Sequence, residues 1–314
     1  MQVPLPCPDT VNKRCPGLQA ANAADLDDWF YWKNLGDWAL DEGCWPDPQG
    51  MVDELRSMGI ELMVTVWPFV GMPCPNGSAT SVNWDEFSSR GYLVKNATSG
   101  AQGRAVTPTG NVLVDATNPA AMNSNGGALV RGPRQMWRQV LSHIHRRQGH
   151  LDGRGRTRPP HIKYISGGQW PEVLPAWTKL WAAGFANKLR EIGNGDGDVF
   201  ILSQSAWAGT ASSGAVRWSG DTGSSSRELT AAVKAGQQDG LSRIPLWATD
   251  NGGYIGGDPD KPAFQELIVR WFQFGAMCPL FWLHGYRGGT SIPPPNQCGP
   301  ANGENEVWNR AKDP

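Results

Sequence analysis

The sequence predicts a (β/α)8 barrel, on three observations. From residue 50 onward, short β-branched runs alternate with amphipathic helical stretches, which is the pattern of a parallel sheet. Several of those runs end in polar residues and glycines, and in a barrel the C-terminal strand ends converge on one mouth where catalysis occurs. The competing doubly wound sheet finds no support, because no GxGxxG or Walker-type phosphate loop is present.

The elements follow in order. Gly50–Met58 (GMVDELRSM) spaces Met51, Leu55 and Met58 on one helical face, and Gly59 stops that helix before a strand at Ile60–Trp67 closed by Pro68. A helix is expected over Gln135–Arg147. Trp177–Ile192 reads as a helix, followed by a Gly/Asp loop and a strand at Val199–Ser203. Ser226–Gln238 is a helix leading to a strand at Ile244–Thr249, and Ala263–Ala276 is a helix leading to a strand at Cys278–Leu283. On this pattern Asp221, Asp250 and His284 share one mouth. Residues 1–25 lack the apolar run expected of a barrel strand before Asp28, so the barrel is expected to be incomplete, with its first strand and any flanking β-sandwich domains missing. The barrel is placed at 26–290, with a Gly/Asn/Ser/Thr-rich loop or inserted subdomain at about 73–133. The Pro/Gly/Asn-rich segment 291–314 reads as a loop toward a missing domain.

Composition narrows the function classes. With 314 residues, 39% hydrophobic, the chain can bury one large core. A formal net charge of −1 and scattered Lys and Arg argue against a nucleic-acid partner. No run of about 18 apolar residues argues for a membrane span, and the polar, Pro-rich start MQVPLPCPDTVNKRCPG is not a signal peptide. A soluble protein is expected, with cytoplasmic and secreted locations both open. The six cysteines lie far apart without a CxxC pair, so neither a zinc cage nor a redox motif is indicated. Sixteen tryptophans are the informative number: Trp stacks on the C–H faces of sugars as well as it packs in a core.

The motifs are more specific than the composition. LSQSAWAG (202–209), AVRWSGDTGSS (215–225), IPLWATDNGG (244–253), RWFQFGAMCPLF (270–281) and CGPANGENEVW (298–308) occur in an order and spacing that resemble glycoside hydrolase family 31. DWFYW (28–32), GDWALDEGCWPDPQGMVDELRSMGIELMVTVWP (36–68) and VDATNP (114–119) extend the likeness, which is closest to the α-xylosidase and α-glucosidase branch. The resemblance implies a (β/α)8 catalytic barrel and retaining hydrolysis of α-linked glycosides, with an oligosaccharide or other glycoside as substrate. Retention uses two carboxyl groups roughly 5–5.5 Å apart, one attacking the anomeric carbon and one protonating the departing oxygen. No metal or organic cofactor is implied, since carboxylates and oriented dipoles carry this chemistry.

Residue by residue, the resemblance makes Asp221 the acid/base. A general acid at neutral pH needs a carboxyl whose pKa is raised by apolar surroundings or a nearby negative charge, and Trp218 would supply apolar wall. Read alone, Asp221 could equally cap the helix that Thr222–Ser226 leads into. By resemblance, Asp28 binds hydroxyls of the sugar being cleaved, Trp67 lines the same subsite, and His284 bonds the hydroxyls beside the anomeric carbon. Asp250 braces the site, and Arg217 stands at the mouth as a substrate contact or an ion-pair partner.

Two departures from the family pattern qualify this. The family's nucleophile sits in a Trp-x-Asp-x-x-Glu pattern after an apolar run, whereas here the region reads QGHLDGRGRTRPP (148–160). Asp152 corresponds to a different family Asp, the nucleophile position falls near Thr157, and the nucleophile is unknown. Gln204 also stands where the family usually has Arg. Arg154–Pro159 can be encoded so that reading two bases out of phase gives Trp-Ser-Asp-Ala-Thr, which suggests a local frameshift. Besides an active hydrolase, two readings stay open: a degenerate, inactive carbohydrate-binding fragment, and an α-transglycosylase.

Overall fold

The computed structural model describes residues 23–26, 36–39, 43, 45–73, 80–96, 111–123, 139–142, 162–163, 170–191 and 199–285. Its centre is a six-stranded, wholly parallel sheet of β1 (Ala23–Leu26), β2 (Glu61–Val66), β6 (Gln139–Ser142), β8 (Phe200–Ser203), β9 (Ala215–Trp218) and β10 (Trp247–Ala248). These strands lie side by side in the order in which the chain makes them, whereas a doubly wound sheet reverses its order once. A parallel bridge between Asp250 and Trp282 continues the progression to a seventh position. A closed barrel of this class has eight strands, so the described residues form an incomplete one.

Each helix is set by local chemistry. In α1 (Pro48–Ser57), the Asp47 carboxylate caps the Gly50 N–H at 2.9 Å and Pro48 begins the first turn, where its missing N–H costs nothing. Val52 and Leu55 are buried against β2, and Met51 and Met58 pack half-buried beside them. α3 (Trp170–Leu189) starts about two turns earlier than its apolar pattern predicts. Trp177 and Trp181 stack at 5.4 Å in its centre. The Trp177 indole also donates to the Val114 carbonyl at 3.0 Å, tying this helix to the segment at 111–123. α4 (Ser226–Leu241) and α5 (Pro262–Gly275) precede the last two barrel positions as predicted.

The region at about 73–133 contains ordered structure. β3 (Phe69–Gly71) pairs antiparallel with β5 (Asn111–Leu113), and α2 (Trp84–Ser89) buries Phe87 against Trp38 and Tyr92. The short strands β4 (Lys95–Asn96) and β7 (Ile162–Lys163) form a second antiparallel pair. This region joins β2, α1 and α3 in one large core, and a separate smaller cluster of Met63, Leu202, Val216, Trp218, Ala248 and Trp282 fills the space the parallel strands enclose.

Four expectations are corrected. The helix expected over Gln135–Arg147 contains a strand at Gln139–Ser142, because the slot between β2 and β8 supplies ladder partners on both sides and pairing overrides local preference. A strand does precede Asp28. Ala23–Leu26 lacks an apolar run, yet it pairs with β2 through its backbone. The strand expected at Ile244–Thr249 shrinks to Trp247–Ala248, since Pro245 has no N–H to give. Similarly, Pro279 interrupts the run Cys278–Leu283, leaving a single bridge at Trp282. Asp28, Asp152 and Thr157 lie outside the described residues.

Candidate active site

Strand β9 alternates its side chains as a strand must. Val216 and Trp218 point into the enclosed cluster, while Arg217 points to the opposite face. There the Arg217 guanidinium pairs with Asp239 of α4 and lies 5.0 Å over the Trp247 ring. Of the two roles expected for Arg217, the structure supplies the ion pair, and it does so on the helix side of the strand, away from Trp218.

After Trp218 the chain turns at once. The Ser219 N–H still bonds the Ala248 carbonyl at 3.0 Å, and Gly220 then takes a left-handed φ of +76°, where a Cβ would collide with the Gln204 side chain. Asp221 follows, half-buried. It is not the helix cap. That role belongs to Ser225, whose hydroxyl accepts from the Glu228 N–H at 3.2 Å, so Ser225 and Glu228 form the Ser-x-x-Glu start of α4. Asp221 therefore stands on a separate turn ahead of the helix.

Asp221 acts electrostatically on Asp250. Asp250 ends the β10 run, is wholly inaccessible, and receives the Trp218 indole N–H at 2.5 Å. Burial pushes its carboxyl well above the usual carboxylate range and the negative charge of Asp221 pushes it further; hydrogen bonds from Trp218, the Thr222 backbone and Trp282 act the other way. A carboxyl sealed in this manner cannot reach an anomeric carbon, so Asp250 does not supply the attacking group.

His284 completes the group. Its ring is walled by Tyr254 at 4.8 Å and by Trp218 and Trp282 at 5.5 Å each. Asn251 fixes the strand that carries it, bonding the Trp282 carbonyl through both its backbone N–H and its side-chain amide. The structure thus brings together Trp218, Asp221, Asp250 and His284. Trp67 stands at the C-terminal end of β2, half-buried, with its ring edge against Phe69 and its carbonyl accepting from the Trp38 indole at 3.1 Å. Tyr254 and Trp282 were not singled out from sequence. The alternation Leu280, Trp282, His284 carries a signal for Trp282, while Tyr254 follows a glycine pair with no periodicity to reveal it. Among the described residues, no group of three or more His, Cys, Asp or Glu side chains is placed to hold a metal ion, and no helix is long and apolar enough to cross a membrane.

A parallel sheet whose strands follow chain order, with its polar residues gathered at the C-terminal strand ends, has the architecture of a TIM-type catalytic barrel. The chain belongs to glycosyl hydrolases family 31: residues 24–299 match the family's TIM-barrel domain. It is 34% identical over 266 residues to an uncharacterized family 31 glucosidase of Pseudescherichia vulneris, covering 83% of this chain and 46% of that one. It is 30% identical to an alpha-xylosidase of Saccharolobus solfataricus, covering 82% of this chain and 32% of that one. Among solved structures, a GH31 alpha-xylosidase from a soil metagenome, complexed with xylose, superposes with a TM-score of 0.78 at 31% identity, over 93% of this chain and 42% of that one. The chain spans less than half the length of each of these relatives.

Proposed function

We propose that the chain is the catalytic-barrel part of a retaining α-glycoside hydrolase acting on α-xylosides or α-glucosides, with Asp221 as general acid/base. The observation that carries this is the half-buried Asp221 beside the sealed carboxyl of Asp250. A carboxyl on a strand-end turn that does not cap the following helix is placed to give a proton to a departing oxygen and to take one back from water. The named relatives support the substrate class, since they include an alpha-xylosidase and a family 31 glucosidase.

In the first half-reaction, a nucleophilic carboxylate forms a bond to the anomeric carbon as the glycosidic C–O bond breaks, and the Asp221 proton goes to the departing oxygen. In the second, water attacks the same carbon, Asp221 takes the water's proton, and the glycosyl ester is released. His284, held by its three aromatic walls, and Asp28 bind sugar hydroxyls in this reading, with Trp67 lining the subsite. Asp250 and Trp218 brace Asp221 and do not touch the sugar. Arg217 has no part in the subsite.

Hydrolysis of an aryl α-xyloside and an aryl α-glucoside tests the proposal, and Asp221→Ala is expected to lower kcat/KM on the better of the two by about 10²–10⁴-fold. If neither glycoside is cleaved, the hydrolase reading fails, and the non-catalytic carbohydrate-binding fragment, favoured by the sequence near Thr157, takes its place. Adding an acceptor sugar and finding it glycosylated in preference to water identifies the transglycosylase instead.

A further inference from the structure

The turn carrying Asp221 is held by the loop that follows β10. The Thr222 carbonyl accepts from the Tyr254 and Ile255 N–H groups at 2.8 and 3.1 Å, and the Ser224 N–H donates to the Ile255 carbonyl at 2.9 Å. Gly223 and Ile255 form a parallel bridge, and the Ser224 hydroxyl donates to the Gly256 carbonyl at 3.0 Å. Both segments lack helix and strand of their own here, so this seam is what fixes the backbone on either side of residue 222.

Gly253 lies where the two segments come closest. Its φ is +80°, and a Cβ built there would stand 2.8 Å from the Gly223 carbonyl oxygen and 2.8 Å from both N and Cα of Ser224. Those are backbone atoms, with no rotamer through which to move aside. Restoring the 3.4 Å of ordinary contact requires the seam to open by about 0.6 Å, and φ strain adds to that cost. Asp221 is two residues from the atoms that would have to move.

We propose that Gly253 is a positioning residue for Asp221: its missing side chain lets the loop after β10 act as the template on which the acid/base turn is laid. This rests on Asp221 being the acid/base. Gly253 touches neither sugar nor proton. It acts through the place where the Asp221 carboxyl is held.

A positioning role for a proton donor has a signature that general damage lacks. Methyl α-glycosides need their leaving oxygen protonated, whereas α-glycosyl fluorides leave without it. Gly253→Ala is therefore expected to lower kcat/KM about 10–100-fold on the methyl glycoside, since a misplacement near 1 Å costs about 10²-fold. On the fluoride the loss is to stay under about 3-fold and KM is to hold, the same selectivity as Asp221→Ala at smaller size. Gly240→Ala, at a helical glycine with open space around it, controls for the substitution itself. Equal losses on both substrates, or no loss, overturn the proposal. Should Gly253→Ala not fold, Ser224→Ala removes one hydroxyl bond from the same seam and is to give the same selective pattern at about 3–10-fold; an unselective effect overturns the proposal there too. A parent chain that cleaves neither substrate defeats the hydrolase reading alone. The seam is then read by the 13C titration of the Asp221 carboxyl, whose midpoint is to move by at least about half a pH unit in the variant that folds. Superimposable titration curves overturn the positioning role.

Discussion

The indole N–H of Trp218 donates to Asp250, and this changes what each residue is for. From sequence, Trp218 reads as apolar wall beside the acid/base; in the structure it is wholly buried and its polar edge is committed to a carboxyl. Asp250 in turn is sealed from water and faces the charge of Asp221 from the turn after β9, while His284 packs on the same Trp218 ring. The folded state therefore holds a proton on Asp250 at pH values where the unfolded chain has released it. Stability from this group is full below the unfolded carboxylate value, about 3.9, and is lost as pH rises toward the raised folded value. Asparagine keeps the shape without the charge. Asp250→Asn is accordingly expected to match the parent below the unfolded carboxylate value of about 3.9 and to exceed it in urea midpoint by a margin that grows as pH rises toward the raised folded value. A margin independent of pH between those limits would show that Asp250 does not titrate in the folded protein.

At the level of elements, α4 separates two roles that the sequence leaves merged. The stretch Asp221–Ser226 offers several side chains able to cap a helix, and pattern alone cannot choose among them. The structure selects Ser225, with Glu228 in the reciprocal position, which frees Asp221 from any capping duty. Ser225→Ala is expected to lower unfolding free energy by about 1 kcal/mol, measured by urea denaturation, whereas Asp221→Ala removes no cap and is expected to leave the helix intact by far-ultraviolet circular dichroism. Helices of this kind, and the strands β2 and β8, were legible in the sequence because their apolar spacing is local. The strand Gln139–Ser142 was not, because its identity comes from β2 and β8 on either side, partners some 60 or more residues away in sequence. The same holds within the site. Asp221, Asp250 and His284 could be read from strand-end motifs, but the committed indole of Trp218, the outward turn of Arg217 to Asp239 and the Tyr254 wall depend on which face of a neighbouring element each side chain meets.

Over the whole molecule, the family match spans residues 24–299, and the stretch in which the family pattern leads one to expect the nucleophile lies in the middle of it. The barrel positions on either side of residues 148–160 are made: β6 ends at Ser142 and α3 begins at Trp170. A retaining mechanism needs its second carboxylate on a strand end facing Asp221, and Asp250, being inaccessible, does not fill that place. The stretch Gly153–Pro160 is composed almost wholly of Gly, Arg and Pro with one Thr, unlike the sequence on either side. GC-rich codons translated in a displaced phase give this composition, and Arg-Gly-Arg-Thr-Arg-Pro read two bases out of phase yields Trp-Ser-Asp-Ala-Thr. The coding DNA is thus expected to show a Trp-x-Asp in another phase between codons 148 and 162, with compensating shifts on its two sides. The chain carrying the restored phase is expected to hydrolyse aryl α-glycosides faster than the chain as it stands by about 10³-fold or more, since loss of the nucleophile removes the covalent route altogether. Sequencing settles the first expectation and a paired kinetic assay the second; a Trp-x-Asp absent from every phase ends the idea, and equal rates for the two chains would place the attacking carboxylate elsewhere in the barrel.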